Sequence, residues 1–551
     1  MIFDLPETGT EQPPAFTNAT HCSDWLKTVP LANAMQAQAI FLRQLTLLAR
    51  FTLSINERFA VLETLRGPIR QAQDAMAKKF IGRPLPFSPS EQAALDSTLA
   101  IWQSLLTNYL HCFEEHDAEP NAATAPTVTT VPAEPSKKNT TVVERALATL
   151  ADWQIDLIQG KRLPDFGYWK KLHQVFSLAE STGLADQITY DSLRYGKQAV
   201  TPLAVYAECH LLYATSPYEL SPHDLAWISR WTQRWGSKIK LLTAPPEDIR
   251  HCAHPLWVDL DSDQPADHIP RQSTRGRWLE TTELRTSLTS RLTLLEQGRS
   301  PADLQLGSDV TQPSAGKLLA RLLHRWCQGG SARKHLRQGA SGNCRFIAGY
   351  DSVHFHLSGQ RTFQSTPQDD TTLRLEQEKF AIFGDMSHRL DIAKPAPDTT
   401  HIENWAVMDD WKLLDTSATG LRISRPLKEG VRIATGSLIA VHIEQASAFV
   451  IGCVRWTLRQ DTDSLAVGIQ LFPGEAQAIM ARPLASENTA YRPAFFIDAN
   501  TADEEPASLV LPVGSFQIGR RIEVMRTSAE VVTLERLITH GSEFERCTFT
   551  T

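Results

Sequence analysis

Apolar positions in the N-terminal half of the chain recur at helical spacing. From Leu31 onward, Met35, Ile40, Phe41, Leu45, Leu48 and Phe51 fall along one face of a helix. Ser54-Ile-Asn-Glu57 has the form of a capping box and predicts a second helix, stopped at Gly67-Pro68. Ser88-Pro89-Ser90-Glu91 repeats that signal with proline at the first helical position, predicting a helix to about residue 115. Leu147, Leu150, Trp153 and Leu157 mark another apolar face, and Trp169, Leu172, Phe176 and Ala179 the next. Ser221 is placed to start a further helix, Arg277–Gln297 reads as another, and Ser314 is placed to cap AGKLLARLLHRW, which Gly329-Gly330 ends. No strict repeat period is present, so stacked helical hairpins and a single irregular bundle both fit.

Between Trp411 and Phe472 the pattern changes. WKLLDTSATGLRI, ATGSLIAVHI, AFVIGCVRWTL and SLAVGIQLF are short runs of β-branched and aliphatic residues, separated by Gly, Asp, Ser and charged residues. This predicts an antiparallel sheet or small barrel. Upstream, Arg333 and Arg337 sit in a polar, glycine-punctuated loop, followed by strand-like alternation through NCRFIAGYDSVHFHL. Trp456 is expected in the core of its strand. After Pro483, SLVLPVGSF, RRIEVM, EVVTLERLI and FERCTF are again strand-like and either extend the barrel or form a second β unit.

The fold class is therefore α+β and multidomain. A loose arm (1–20) precedes helical segments at 21–116 and 142–313. Between these, 117–141 is nearly free of large apolar residues and carries four prolines, and is expected to be a flexible linker or loop. A β-barrel segment follows at 314–485, with an inserted stretch at about 361–405 that has a possible short helix at Leu373–Phe380, and a small C-terminal β segment at 486–551 completes the chain.

Composition narrows the function classes. Apolar residues make up 42% of the chain and charged residues 21%, as in ordinary soluble proteins. The net charge of −7 argues against bulk attraction to nucleic acid or anionic membranes. No stretch is apolar for the length of a spanning helix, the N-terminus lacks a signal pattern, and the eight cysteines contain no CxxC; a cytoplasmic location is expected. His251-Cys252-Ala-His254 and Cys209-His210 have no second pair at zinc spacing, so no metal is expected. Gly316-Lys317 fails as a phosphate loop, because Thr311 stands where its first glycine belongs and Leu318 follows the lysine. GxSxG, HExxH and GxGxxG are absent, and neither His116-Asp117 nor His223-Asp224 has the spaced partners of a metal hydrolase. No enzymatic activity is expected.

Asp415-Thr-Ser417-Ala-Thr-Gly420 has the form D-x-S-x-x-G and is followed by Val454-Arg455-Trp456 and Val467-Gly468-Ile469-Gln470-Leu471. In this order and with these strand lengths, the stretch resembles the PilZ domain, a bacterial receptor module for cyclic di-GMP. The resemblance implies a barrel that binds cyclic di-GMP without a cofactor. It assigns ligand contacts to an upstream RxxxR pair, placed at Arg333 and Arg337, and to Asp415, Ser417 and Gly420. The same arginine spacing recurs at Arg66–Arg70, Arg230–Arg234, Arg271–Arg275, Arg321–Arg325 and Arg455–Arg459; the loop position favours Arg333 and Arg337.

The chemistry suits the ligand. Guanidinium groups bind phosphate oxygens or guanine N7 and O6 in a bidentate way. A carboxylate at Asp415 accepts from guanine N1–H and N2–H, Ser417 bonds a phosphate or the guanine edge, and Gly420 allows a tight turn. The expected function is a receptor that binds cyclic di-GMP, ordering the Arg333–Arg337 loop and signalling to a protein partner through the helical region. The alternative is an interaction scaffold that keeps the barrel but has lost the ligand.

Overall fold

A computed structural model of the chain describes residues 3–9, 12–113, 137–195, 199–246, 253–330, 337–361, 363, 408–427, 430–444, 448–460, 463–484, 490–500 and 505–551. It divides into two compact units, Met1–Arg83 with Phe87–Lys334, and Pro84–Pro86 with His335–Thr551. The first unit is mainly helical: α1 (Ala19–Leu26), α2 (Ala34–Arg50), α3 (Ile55–Ala77), α4 (Pro89–Leu110), α5 (Lys137–Gln159) and α6 (Tyr168–Ser181). A hairpin of β1 (Thr189–Tyr190) and β2 (Ala199–Val200) precedes α7 (Pro202–Ala214) and α8 (Pro222–Trp235). β3 (Lys240–Leu242), β4 (Leu256–Asp259) and β5 (Gly276–Glu280) form a small sheet in the order β3-β5-β4. α9 (Thr282–Glu296) and α10 (Ser314–Cys327) complete the unit. α7 is buried all round from Pro202 to Leu212, as a helix at the centre of a bundle must be.

Several caps form as the sequence dictates. The Ser88–Glu91 capping box is complete in both directions, with Pro89 in the first turn of α4. Ser221 accepts from the Asp224 amide at the head of α8. Other expectations are corrected. Gly67-Pro68 does not stop α3, which carries Pro68 inside it; Val61, Leu62, Leu65, Ile69, Ala72 and Met76 form one buried stripe across that point, and their burial outweighs the local cost of proline. Arg277 lies in β5, and the helix expected from there begins at Thr282. Ser314 is the first helical residue of α10 rather than its cap. Of the linker 117–141, the part up to 136 lies outside the described residues, and Lys137–Thr141 forms the first turn of α5. Nearly all of the insertion at 361–405, with its expected helix, also lies outside them.

The second unit holds two barrels. The first consists of β6 (Gln338–Gly339), β7 (Asn343–Ala348), β8 (Asp409–Ser417), β9 (Gly420–Pro426), β10 (Leu438–Ile443), β11 (Val450–Arg459) and β12 (Ser464–Leu471), with α11 (Tyr350–Leu357) between β7 and β8. Its sheet runs β6-β8-β7-β10-β11-β12-β9, and pairing of β8 with β9 closes the ring. Tyr350–Leu357, expected to continue the strands, is helical. Its alternation is misleading, because Tyr350, Val353, His354 and His356 are all buried as the helix packs between the barrels. The Tyr350 hydroxyl bonds to the Pro493 and Val510 carbonyls at 3.0 Å each.

The second barrel is a closed ring of β13 (Ala476–Pro483), β14 (Arg492–Ile497), β15 (Ser508–Pro512), β18 (Phe544–Thr550), β17 (Ala529–His540) and β16 (Arg521–Met525), in that order around the ring. Ile479, Phe496, Leu509, Val524, Leu534 and Cys547 belong to its own core. A separate core joins the barrels: Ile347, Leu438, Ile451 and Cys453 of the first meet Phe495, Ile497, Val510 and Phe544 of the second. Pro84–Pro86 belongs to this unit as well, Leu85 and Ile433 exchanging backbone hydrogen bonds of 2.9 and 2.7 Å.

Asp156 gives the helical unit a measurable pH signature. It is buried and accepts from the Trp102 indole N–H at 2.7 Å. Burial pushes its carboxyl up to about 7, against the opposing pull of that hydrogen bond and of Arg70. Because the folded state holds the proton more tightly, the group's contribution is complete below about pH 4 and is lost as pH rises to about 7, up to about 4 kcal/mol in all. Asp156→Asn retains an oxygen acceptor without an ionisable group. Its thermal midpoint is expected to gain on wild type progressively between pH 4.5 and 7.5; a constant difference across that range would contradict the assignment.

Candidate functional site

Side chains alternate between the two faces of a strand, so Leu421 and Ile423, fully buried, point into the first barrel and Arg422 between them points outward. On β12, Val467 and Ile469 likewise face inward and Gly468 outward. β8 and β11 reach the same outer face by breaking their alternation. In β8 a bulge lies between Leu413, opposite inward-facing Ile423, and Asp415, opposite outward-facing Arg422. In β11 a second bulge lies between Val454, opposite inward-facing Ile469, and Trp456, opposite Gly468. One extra residue in each strand, Leu414 and Arg455, reverses the parity and turns Asp415 and Trp456 outward.

The result is a cross-strand row on the barrel's outer surface: Gly339, Asp415, Arg422, Gly468 and Trp456, each paired in register with the next. Arg337, just ahead of β6, places Nη1 3.0 Å from Asp415 Oδ1, and Arg422 Nη1 lies 3.9 Å from Oδ2. The Arg337 contact is close but misaligned, since among the described residues Asp415 Oδ1 has no hydrogen-bond partner, and neither has Arg422 Nε. Arg337, Asp415 and Arg422 side chains are 27%, 17% and 35% exposed. Trp456 is half-buried rather than in the core as expected. Its indole lies against the bare backbone of Gly468, where an added Cβ would stand 2.1 Å from the ring. The next row pairs Ser417 with Gly420 and Gly420 with Gln470. Ser417 donates to the Gly420 carbonyl at 3.3 Å. Gly420 is needed for clearance rather than for a left-handed turn, since a Cβ would sit 2.9 Å from the Ile469 carbonyl oxygen.

Four of the five expected ligand residues, Arg337, Asp415, Ser417 and Gly420, thus lie on this face; Arg333 lies outside the described residues. Most of the competing RxxxR arginines are engaged elsewhere. Arg66 pairs with Asp191, Arg70 with Asp152, Arg230 with Asp309, Arg271 with Asp267, Arg275 with Asp261 and Arg321 with Glu219. Sequence reasoning missed Arg422 and the outward Trp456. Alternation breaks in the sequence at Leu413-Leu414, ahead of Asp415, but Leu421-Arg422-Ile423 and Val454-Arg455-Trp456 alternate regularly, so neither Arg422 nor the outward Trp456 carries a signal there.

Three family models match the chain consecutively. "Cyclic-di-GMP receptor FimW, N-terminal domain" covers residues 20–247, "Cyclic-di-GMP receptor FimW, middle PilZ domain" covers 256–411, and "FimW C-terminal beta-barrel domain" covers 479–551. The chain belongs to the FimW family of cyclic-di-GMP receptors. A helical N-terminal region, a middle PilZ barrel and a C-terminal barrel are the architecture of this FimW-family chain. The middle match ends at Trp411, so Asp415, Arg422, Gly468 and Trp456 lie beyond the matched span, while Arg337 and Gly339 lie within it. The ligand of the FimW family is cyclic di-GMP. No curated protein matches the chain. Among the described residues no helix is long and apolar enough to cross a membrane.

Asp415 pairs with the arginine that immediately precedes β6. Asp415→Ala removes the carboxylate that faces Arg337 and adjoins the β6 pairing partner Gly339. Such a partly exposed ion pair contributes about 0.2–1 kcal/mol, so amide exchange at Gln338 and Gly339 is expected to quicken up to about five-fold. Unchanged exchange there would show that the pair does not hold the strand.

Proposed function

We propose that the outer row binds cyclic di-GMP and that the chain is a cytoplasmic, non-enzymatic receptor whose liganded state engages a protein partner through the helical region. The observation that carries this reading is the convergence of Arg337 and Arg422 on Asp415, with Asp415 Oδ1 and Arg422 Nε without hydrogen-bond partners among the described residues. An under-satisfied carboxylate between two guanidinium groups suits a ligand that carries both guanine donors and phosphate acceptors. Guanine N1–H and N2–H take Asp415, a phosphate takes the guanidinium groups, and Arg333, four residues before Arg337 in sequence, is the other arginine of the proposed pair. Trp456 offers an indole at the end of the row on which a purine stacks. Ser417, one row along, is within reach of the same ligand's phosphate or guanine edge.

Asp415 pairs with Arg337; a bound ligand replaces each partner of that pair with its own groups. The exchange costs little, because the protein gives up one misaligned ion pair and gains several charge-assisted hydrogen bonds. A population shift of β6 and its loop follows from that difference in affinity. The segment Pro84–Pro86, tied to Ile433 by backbone hydrogen bonds, runs directly into α4 in sequence and gives the signal a covalent route to the helices.

Calorimetric titration with cyclic di-GMP, against GTP as control, tests this. Saturable binding is expected, weakened about ten- to a hundred-fold by Arg337→Ala, Arg422→Ala or Asp415→Ala, as loss of a charged hydrogen bond predicts. Full affinity in both arginine variants would overturn the placement of the site. Absence of saturable binding would favour a scaffold that has lost its ligand.

A further inference from the structure

The open end of the second barrel carries a feature that the nucleotide reading does not use. A cavity of about 200 Å³ lies there, and Arg482, Arg492 and Arg520 all line it. Pro483, Pro493 and Pro512 form part of its wall. Proline has no N–H, so at these positions the wall offers no backbone donor, and recognition of an anion rests on the guanidinium groups. Two of these are held in place. Arg520 donates to Gln517 Oε1 at 2.8 Å, and Arg482 pairs with Glu523 while lying 4.6 Å over the Tyr491 ring. Arg492 is exposed and makes no ion pair or hydrogen bond among the described residues. Among the described residues, Glu523 is paired with Arg482, and Glu545 accepts from the Phe516 amide. Three guanidinium groups line the cavity and no carboxylate is among its lining residues.

Leu484, Val513 and Ile518 follow or precede the lining residues Pro483, Pro512 and Arg520 by one or two positions and are 40%, 44% and 75% exposed. Arginines gathered in a small pocket, with exposed apolar residues adjoining its lining segments, are the composition of a protein-binding hot spot. A cavity of about this size takes a single ring or short aliphatic group.

We infer that the mouth of the C-terminal barrel is a docking pocket for an acidic segment of a partner protein, receiving one carboxylate together with an adjoining apolar side chain. The carboxylate meets Arg492 and Arg520, and the apolar neighbour packs on the proline wall and on Ile518.

The test is fluorescence anisotropy of the full chain with a labelled peptide of sequence GLDFEG. Its amide counterpart GLNFQG and inorganic phosphate serve as comparisons. The acidic peptide is expected to bind saturably and the amide form not to bind. Arg492→Gln is expected to weaken binding about ten-fold and Ile518→Ser several-fold, with cyclic di-GMP affinity unchanged in both. Equal binding of the two peptides, insensitivity to both substitutions, or displacement by equimolar phosphate would each overturn the inference, as would the absence of saturable binding. Because the nucleotide titration is read separately, failure here is distinguishable from failure of the receptor reading.

Discussion

The outer face of the first barrel depends on two added residues. Without the bulge in β8, alternation from Leu413 would turn Asp415 into the lumen, where an unpaired carboxylate costs several kcal/mol. Without the bulge in β11, Trp456 would share the inward direction of Val454. With both present, a carboxylate, a guanidinium group and an indole stand in register on one surface, and Gly468 and Gly420 clear the backbone beneath them. The lumen in turn keeps its aliphatic packing, apart from the buried Arg425, which lies over Trp411 at 4.9 Å and beside Asp409.

The strand that presents Trp456 is also bound into the rest of its unit. The Val454 carbonyl accepts from the Gly436 amide, and the Gly436 carbonyl from the Ser542 amide, both at 2.8 Å. Glu543 accepts from the Leu438 amide at 2.9 Å, and burial raises its carboxyl above the ordinary glutamate range. With Phe495, Val510 and Phe544 packed on Ile451 and Cys453, the two barrels share one apolar core. A displacement of β11 is therefore resisted or transmitted by the second barrel, since packed cores deform little.

Much of this was legible in the sequence where local and tertiary preferences agree. The Ser88 capping box, the α5 and α6 faces and the strands of both barrels follow from caps and periodicity. The Asp415–Gly420 motif, through its resemblance to a known module, pointed to the face where Arg337 and Arg422 meet Asp415. What was not legible arose where burial overrides a local rule. Pro68 sits inside α3 because an uninterrupted apolar stripe holds the helix together, and Tyr350–Leu357 is helical although its residues alternate. Trp456 was assigned inward because strict alternation allows nothing else, and Arg422 was overlooked because its meaning comes only from the residue opposite it.

The most direct measurement of the central claim is a structure of the full chain with cyclic di-GMP bound. The account predicts ligand across the Asp415–Arg422–Gly468–Trp456 row, with guanine donors on Asp415, Arg337 transferred from Asp415 to a phosphate, and a purine against the Trp456 indole. Ligand bound elsewhere, with Arg337 still on Asp415 and the row unoccupied, would contradict it.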